Sequence, residues 1–304
     1  WLHDNQAPLK QYSGHLTDIL TQRAIEFLDQ QKGRSQPWFL NLWHFAPHDP
    51  IQPSGKFRDK YPATKEGRYY ALIDQLDFNI GLVMAALDRN GQADNTLVIV
   101  LSDNGGNNAA TNNNHPYHGK KGEFFEGGLR TPMLIRWPGR IAPNTVSDEI
   151  VSLYDIFPTI AQASAALPPA YLIGRSLLDP ERVHSPQLYW EYSTSAKHVF
   201  SILSADGNWR FTDYYGARIL NDLAADPSGK INVLDRHPEI ASKLTNDYLQ
   251  WRKTARNVEF SYEPLNNKGG AIIRGDDLQG SPGYAGFSFA IGVAPSADVS
   301  AARQ

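Results

Sequence analysis

The sequence predicts an α/β fold: a mostly parallel sheet sandwiched by helices, followed by a smaller α+β subdomain. Three observations carry that expectation. Helical and strand-like apolar patterns alternate up to about residue 175, in the order helix, strand, helix, strand, strand, helix. Residues 96–102 are apolar without alternation, as in a central strand of a parallel sheet. Beyond residue 175 the pattern changes to short strands punctuated by turn residues.

Residues 13–31 read as an amphipathic helix, because Leu16, Ile19, Leu20, Ile25, Phe27 and Leu28 recur mostly at three- and four-residue intervals. Ser13 or Thr17 is its expected cap, and Gly33 punctuates its end. Residues 38–45 form an apolar and aromatic run expected to be a buried strand, closed by the two prolines of "APHDP". Residues 69–89 read as a second helix with Leu72, Ile73, Leu76, Ile80, Val83, Met84 and Leu87 on one side. Asn90-Gly91 supplies its left-handed stop. Strands at 96–102 and 132–137 follow, then a helix at 151–163 interrupted near Pro158.

Antiparallel strands are expected at 188–192, 199–203 and 209–214, with Asp206-Gly207-Asn208 as a turn. A helix over 238–253 carries Ile240, Leu244, Tyr248, Leu249 and Trp251. The domain reading is therefore 1–175 for the α/β core, 176–256 for the α+β subdomain, and 257–304 for a glycine-rich tail that could start another β module.

With 304 residues, 41% of them hydrophobic, the chain is long enough to bury a large core. A net charge of -3 gives no electrostatic case for nucleic acid or an anionic membrane as partner. No apolar run approaches the roughly 20 residues of a membrane span. The absence of cysteine excludes a disulfide framework and a zinc-thiolate site. The chain starts at Trp1 without initiator methionine or signal peptide, so a processed or partial polypeptide is expected.

Asp103 and Asn104 follow the apolar strand at 96–102, where ligands bind in open α/β sheets. A carboxylate beside an amide carbonyl offers hard oxygen ligands for Ca²⁺ or Mg²⁺, although Asp-Asn-Gly-Gly is also ordinary turn chemistry. Lys120 and Lys121 stand between Gly119 and Gly122, where the backbone is free to approach an anion; a solvated loop is the plainer reading. Glu126 and Arg130 are expected to form a structural ion pair. His48, at the end of the run 38–45, suits a general acid or a histidine packed in a proline-braced turn. His115 and His118 lie in an Asn-rich loop and are candidates for substrate contact. Asp276 and Asp277 read as a glycine-rich turn rather than a metal site. No G-x-S-x-G elbow, P-loop or G-x-G-x-x-G occurs. The residues offer a cation site and positive charge, but no nucleophile.

Read together, these segments resemble the sulfatase family of the alkaline-phosphatase-like superfamily. The resemblance covers residues 12–254 and is strongest in "LVIVLSDNGG" followed by "GKKGEFFEGGLRTPMLIRWPG". "GHLTDILTQRAIEFLDQQ", "WFLNLWHFAPHDPIQP", "LYDIFPTI" and "LNDLAADPSGKINVLDRHPEI" add further matches in order. The resemblance implies that Asp103 and Asn104 are two ligands of a Ca²⁺ ion, that Lys121 contacts the sulfate group, and that His48 protonates the leaving oxygen. Asparagine at 104, where related phosphatases carry histidine, favours calcium and sulfate esters. His118 departs from the arginine common before the Gly-Lys segment.

The resemblance also implies a formylglycine nucleophile made from a C/S-x-P-x-R motif. That motif, the family's Asp-Asp ligands and its G-K-x-H segment are not in these residues, as expected if an N-terminal portion is missing. The expected substrates are sulfated carbohydrates or aryl sulfates, and the expected location is secreted or periplasmic. A phosphodiesterase or phosphonate hydrolase of the same superfamily is one alternative. A non-catalytic remnant or sugar-binding protein is the other.

Overall fold

Helix formation starts at Leu16 in this computed structural model, which describes residues 10–107, 114–169, 171–179, 187–193 and 198–255. The glycine-rich tail and Asp276-Asp277 lie outside the described residues. The chain divides into two units, Trp1–Pro116 with Gly127–Val183, and Tyr117–Glu126 with His184–Gln304.

In the first unit α1 spans Leu16–Gln31. Its cap is His15 rather than Ser13 or Thr17. His15 Nδ1 accepts from the Thr17 backbone N–H at 3.2 Å while Nε2 donates to the Gln52 carbonyl at 2.9 Å. Thr17 cannot cap because it already lies inside the helix, fully buried. The single turn α2 (Gly55–Arg58) buries Phe57, whose ring sits 5.5 Å from that of Phe78.

Helix α3, Lys65–Arg89, begins four residues before the apolar pattern suggests, because Thr64 Oγ1 caps it by accepting from Gly67 N–H at 3.0 Å. Leu28 of α1 clusters with Ala86 and Leu87 of α3, with Trp38, Leu40 and Val98 packed around them. Polar groups join the same two helices: Asp18 Oδ1 accepts from Gln75 Nε2 at 3.0 Å and from Asn79 Nδ2 at 2.8 Å. α3 is long and apolar enough to match a membrane span by length and composition, yet it buries these two amides against α1 as a core helix does.

The next elements correct the expected sheet. β1 (Val98–Leu101) pairs antiparallel with β2 (Met133–Arg136), in the register Val98↔Arg136 to Leu101↔Met133. Every strand pair among the described residues is antiparallel. The chain between β1 and β2, which includes the single turn α4 (Glu126–Leu129), returns to the same end and prolongs the pairing. Ser102 N–H donates to Pro132 O at 3.3 Å and Gly105 N–H to Gly128 O at 2.9 Å. The approach is so close that a Cβ on Gly105 would lie 1.8 Å from the Gly127 carbonyl oxygen.

Residues 38–45, expected as a buried strand, make no ladder among the described residues. Trp38 and Leu40 turn inward, while Phe39, Trp43 and Phe45 are 64%, 64% and 50% exposed. Apolar composition set the burial expectation, but no described strand lies alongside to satisfy it. β1 is likewise only half-buried.

Helix α5 spans Ile156–Ala163, and Pro158 does not interrupt it. The proline stands in the first turn, where its missing N–H has no partner to lose. Asp155, buried just before, accepts from Ser152 N–H and Arg175 N–H, both at 2.8 Å.

The second unit follows expectation more closely. β3 (Leu188–Ser193), β4 (His198–Leu203), β5 (Trp209–Tyr214) and β6 (Ala217–Asp222) form an antiparallel sheet in sequence order. β6 is the one strand of this sheet that the sequence pattern does not reveal. α6 (Pro238–Ala255) covers one face through Leu244 and Tyr248, which join Phe200, Ile202, Phe211 and Leu220 in one core.

Candidate functional site

The β1 strand delivers Asp103 and Asn104 where its pairing with β2 gives way to the Gly105–Gly128 contact. Ser102 Oγ donates to the Asn104 carbonyl at 3.0 Å and fixes the turn. Asn104 Nδ2 donates to Asp103 Oδ1, which aligns the two side chains. Asn104 Oδ1 is then buried with no hydrogen-bond partner among the described residues. A buried acceptor beside an exposed carboxylate is a donor set for a hard cation, and the pair fits Ca²⁺ as two oxygen ligands. It is only part of a coordination shell: among the described residues no group of three or more His, Cys, Asp or Glu could hold a metal.

His48 is exposed, and its backbone N–H donates to Phe45 O at 2.9 Å. Its Nδ1 lies 2.8 Å from the Asp49 carbonyl, which can only accept. Neutral His48 is therefore the Nδ1–H tautomer, with Nε2 as the nitrogen that takes up and gives back a proton. Its ring contacts Phe45, 5.0 Å away between centroids, and makes no hydrogen bond with Asp103 or Asn104. Nearby in sequence, His44 has both ring nitrogens buried and unpartnered among the described residues, and burial pushes its pKa down. Burial therefore favours the neutral form of His44. His115 is exposed, next to an Asn114 amide that exchanges hydrogen bonds with Gly106 at 2.7 and 2.8 Å.

Lys121 and His118 belong to the second unit, on the loop Tyr117–Glu126. His118 is exposed, its N–H donates to Ser228 O at 2.8 Å, and its ring sits 4.7 Å from Phe125. Gly119, at φ +91°, makes room for that ring, since a Cβ there would meet the Phe125 Cβ at 2.7 Å. The two lysines differ. Lys120 Nζ lies 3.9 Å from Glu123 Oε1, whereas half-buried Lys121 has no carboxylate partner among the described residues.

Glu126, buried at the start of α4, has Arg210 as a partner: Arg210 Nε reaches Glu126 Oε1 at 2.5 Å with both side chains almost fully buried. Nothing in the sequence pairs them; the available signal was an arginine inside the apolar strand "WRFTDY". A cavity of about 350 Å³ lined by Asp18, Thr21, Lys56, Phe57, Phe78 and Asn79 contains none of the candidate residues.

Comparison with known proteins places these residues in context. The family profile described as Sulfatase matches residues 1–165, and that of N-sulphoglucosamine sulphohydrolase, C-terminal, matches residues 114–254. A sulfatase of Formosa agariphila is 32% identical over 278 residues, covering 78% of this chain and 50% of that protein. The crystal structure of Ps i-CgsB in complex with k-i-k-neocarrahexaose aligns with a TM-score of 0.74 at 26% identity, covering 81% of this chain and 56% of that one. The phosphonate monoester hydrolase SpPMH of Silicibacter pomeroyi aligns at 0.58 with 19% identity, covering 85% and 64%, and shares the fold. The chain spans about half the length of curated relatives it matches.

Proposed function

The chain belongs to the sulfatase family, and from that premise we propose that it contributes the cation-binding and sulfate-binding side of an enzyme that hydrolyses sulfate esters of carbohydrates. The observation that carries the proposal is the buried Asn104 amide oxygen beside Asp103, which has no hydrogen-bond partner among the described residues. The two would hold Ca²⁺, which when bound neutralises charge on the sulfate oxygens. Lys121 binds a sulfate oxygen through its ammonium, a point charge suited to a compact anion. His48 holds a proton at Nε2 and delivers it to the departing alcohol oxygen, while Asp49 O keeps the ring oriented through Nδ1.

The sugar class is favoured by the neocarrahexaose bound in the aligned crystal structure. No C/S-x-P-x-R precursor of a formylglycine occurs in the 304 residues, so we propose that the chain alone is inactive and that turnover belongs to an enzyme that also carries the nucleophile.

Sulfate and phosphate monoesters of one alcohol, assayed with added Ca²⁺ or Mn²⁺, separate this reading from that of the phosphonate-hydrolase neighbour. Release of sulfate with Ca²⁺ is expected. Faster phosphate release with Mn²⁺ would move the assignment to the phosphohydrolases.

A further inference from the structure

We propose that Glu126 and Arg210 are a positioning pair: their buried ion pair fixes the loop Tyr117–Glu126 on the four-stranded sheet and thereby sets where the Lys121 ammonium stands. The inference rests on the reading of Lys121 as the sulfate-binding cation.

Arg210 and Glu126 are each 3% exposed. Taking two charges out of water is repaid only by excellent geometry, and apolar residues of similar volume often stabilise a fold as well or better. What an ion pair adds is direction, and here the direction is carried along a chain. Arg210 Nε donates to Glu126 Oε1 at 2.5 Å. Arg210 Nη1 donates to Ser201 Oγ at 3.3 Å, Ser201 Oγ lies 2.9 Å from Thr212 Oγ1, and Thr212 donates to the Phe124 carbonyl at 3.2 Å. Because Thr212 spends its only proton on Phe124, Ser201 must donate to Thr212, so the relay runs one way from Arg210. One guanidinium, stacked 5.0 Å from the Trp190 ring, therefore grips the loop at residue 126 directly and at residue 124 through two hydroxyls.

The other side of the loop is held by His118 N–H on Ser228 O. Lys121 lies between these anchors, and no carboxylate among the described residues holds its ammonium. Its position is set by the anchors.

The test is a mutant cycle in the intact enzyme, reading the melting temperature and kcat/KM for sulfate release from a sulfated oligosaccharide. Its members are Arg210→Met, Glu126→Gln with Arg210→Met, Lys121→Ala, and all three together. Assays run below the lowest melting point. Arg210→Met takes the guanidinium away from a buried carboxylate, so both readouts fall. The double variant regains most of the melting temperature, because no charge is left unpaired. Its kcat/KM stays about 10²-fold down, the order expected for a misplaced binding group. In the Lys121→Ala background the same double change costs no further activity.

A double variant with wild-type kcat/KM, or a full extra 10²-fold loss on top of Lys121→Ala, overturns the inference while leaving Lys121 as the sulfate cation. Unchanged activity in Lys121→Ala itself removes that reading, and the inference with it.

Discussion

Histidines 44 and 48, four residues apart, have opposite chemistry because of what surrounds them. His48 is exposed and gives its Nδ1 proton to Asp49 O, which leaves Nε2 for proton transfer. His48→Ala should lower kcat on a sugar sulfate by about 10²–10⁴-fold, the range of general acid–base catalysis. On an aryl sulfate whose acidic phenol departs without a proton the loss should be far smaller, and equal losses on both would remove the general-acid role. His44 has buried ring nitrogens without a partner among the described residues, and a pKa lowered from 6.5 by burial. The unfolded chain takes up a proton there more readily, so the fold is favoured above about pH 6.5 and loses stability as pH falls from there toward the lowered folded pKa. His44→Phe should flatten the acid side of a plot of melting temperature against pH; an unchanged slope would show that His44 does not cause it. The sequence singled out His48 through its place in "APHDP" but carried no signal for His44, because burial is not local in sequence.

The turn between β1 and β2 holds a comparable contrast between pattern and contact. "SDNGG" was legible as turn chemistry, but its pairing with "EGGLR" was not: Gly105 N–H donates to Gly128 O. Gly105→Ala would drive a Cβ into the Gly127 carbonyl oxygen, at 1.8 Å in the unrelaxed backbone. It should cost about 1–3 kcal/mol, as overpacking does, measured as a lower guanidinium midpoint at constant m. A neutral result would mean that the two loops are not in register as described. Strands β4 and β5 were readable because the Asp206-Gly207-Asn208 turn between two short apolar runs points to a hairpin. Residues 38–45 were not, because an apolar run states a demand for burial without naming the partner that meets it. Pro158 misled for a related reason: its cost depends on whether it falls in the first helical turn, and the start of α5 is set by the buried Asp155 contacts with Ser152 and Arg175.

Across the whole molecule, the motifs of residues 97–139 carried the family, and the family profiles cover residues 1–165 and 114–254. Two things were beyond them. The loop with Lys121 belongs to the second unit through Arg210, a contact 84 residues away in sequence. Asp103 and Asn104 could be named as candidate cation ligands through the family resemblance, but a full shell of six to eight oxygens is assembled by folding and not by local spacing. The central claim is that Asp103 and Asn104 bind a cation that sulfate hydrolysis requires. Its most direct test is calorimetric titration of the calcium-depleted intact enzyme with Ca²⁺, alongside sulfate release, for wild type and Asp103→Ala. Heat of binding and turnover in the wild type, with both lost in Asp103→Ala at an unchanged fold, is the predicted result. Calcium binding and turnover that survive Asp103→Ala would contradict the account.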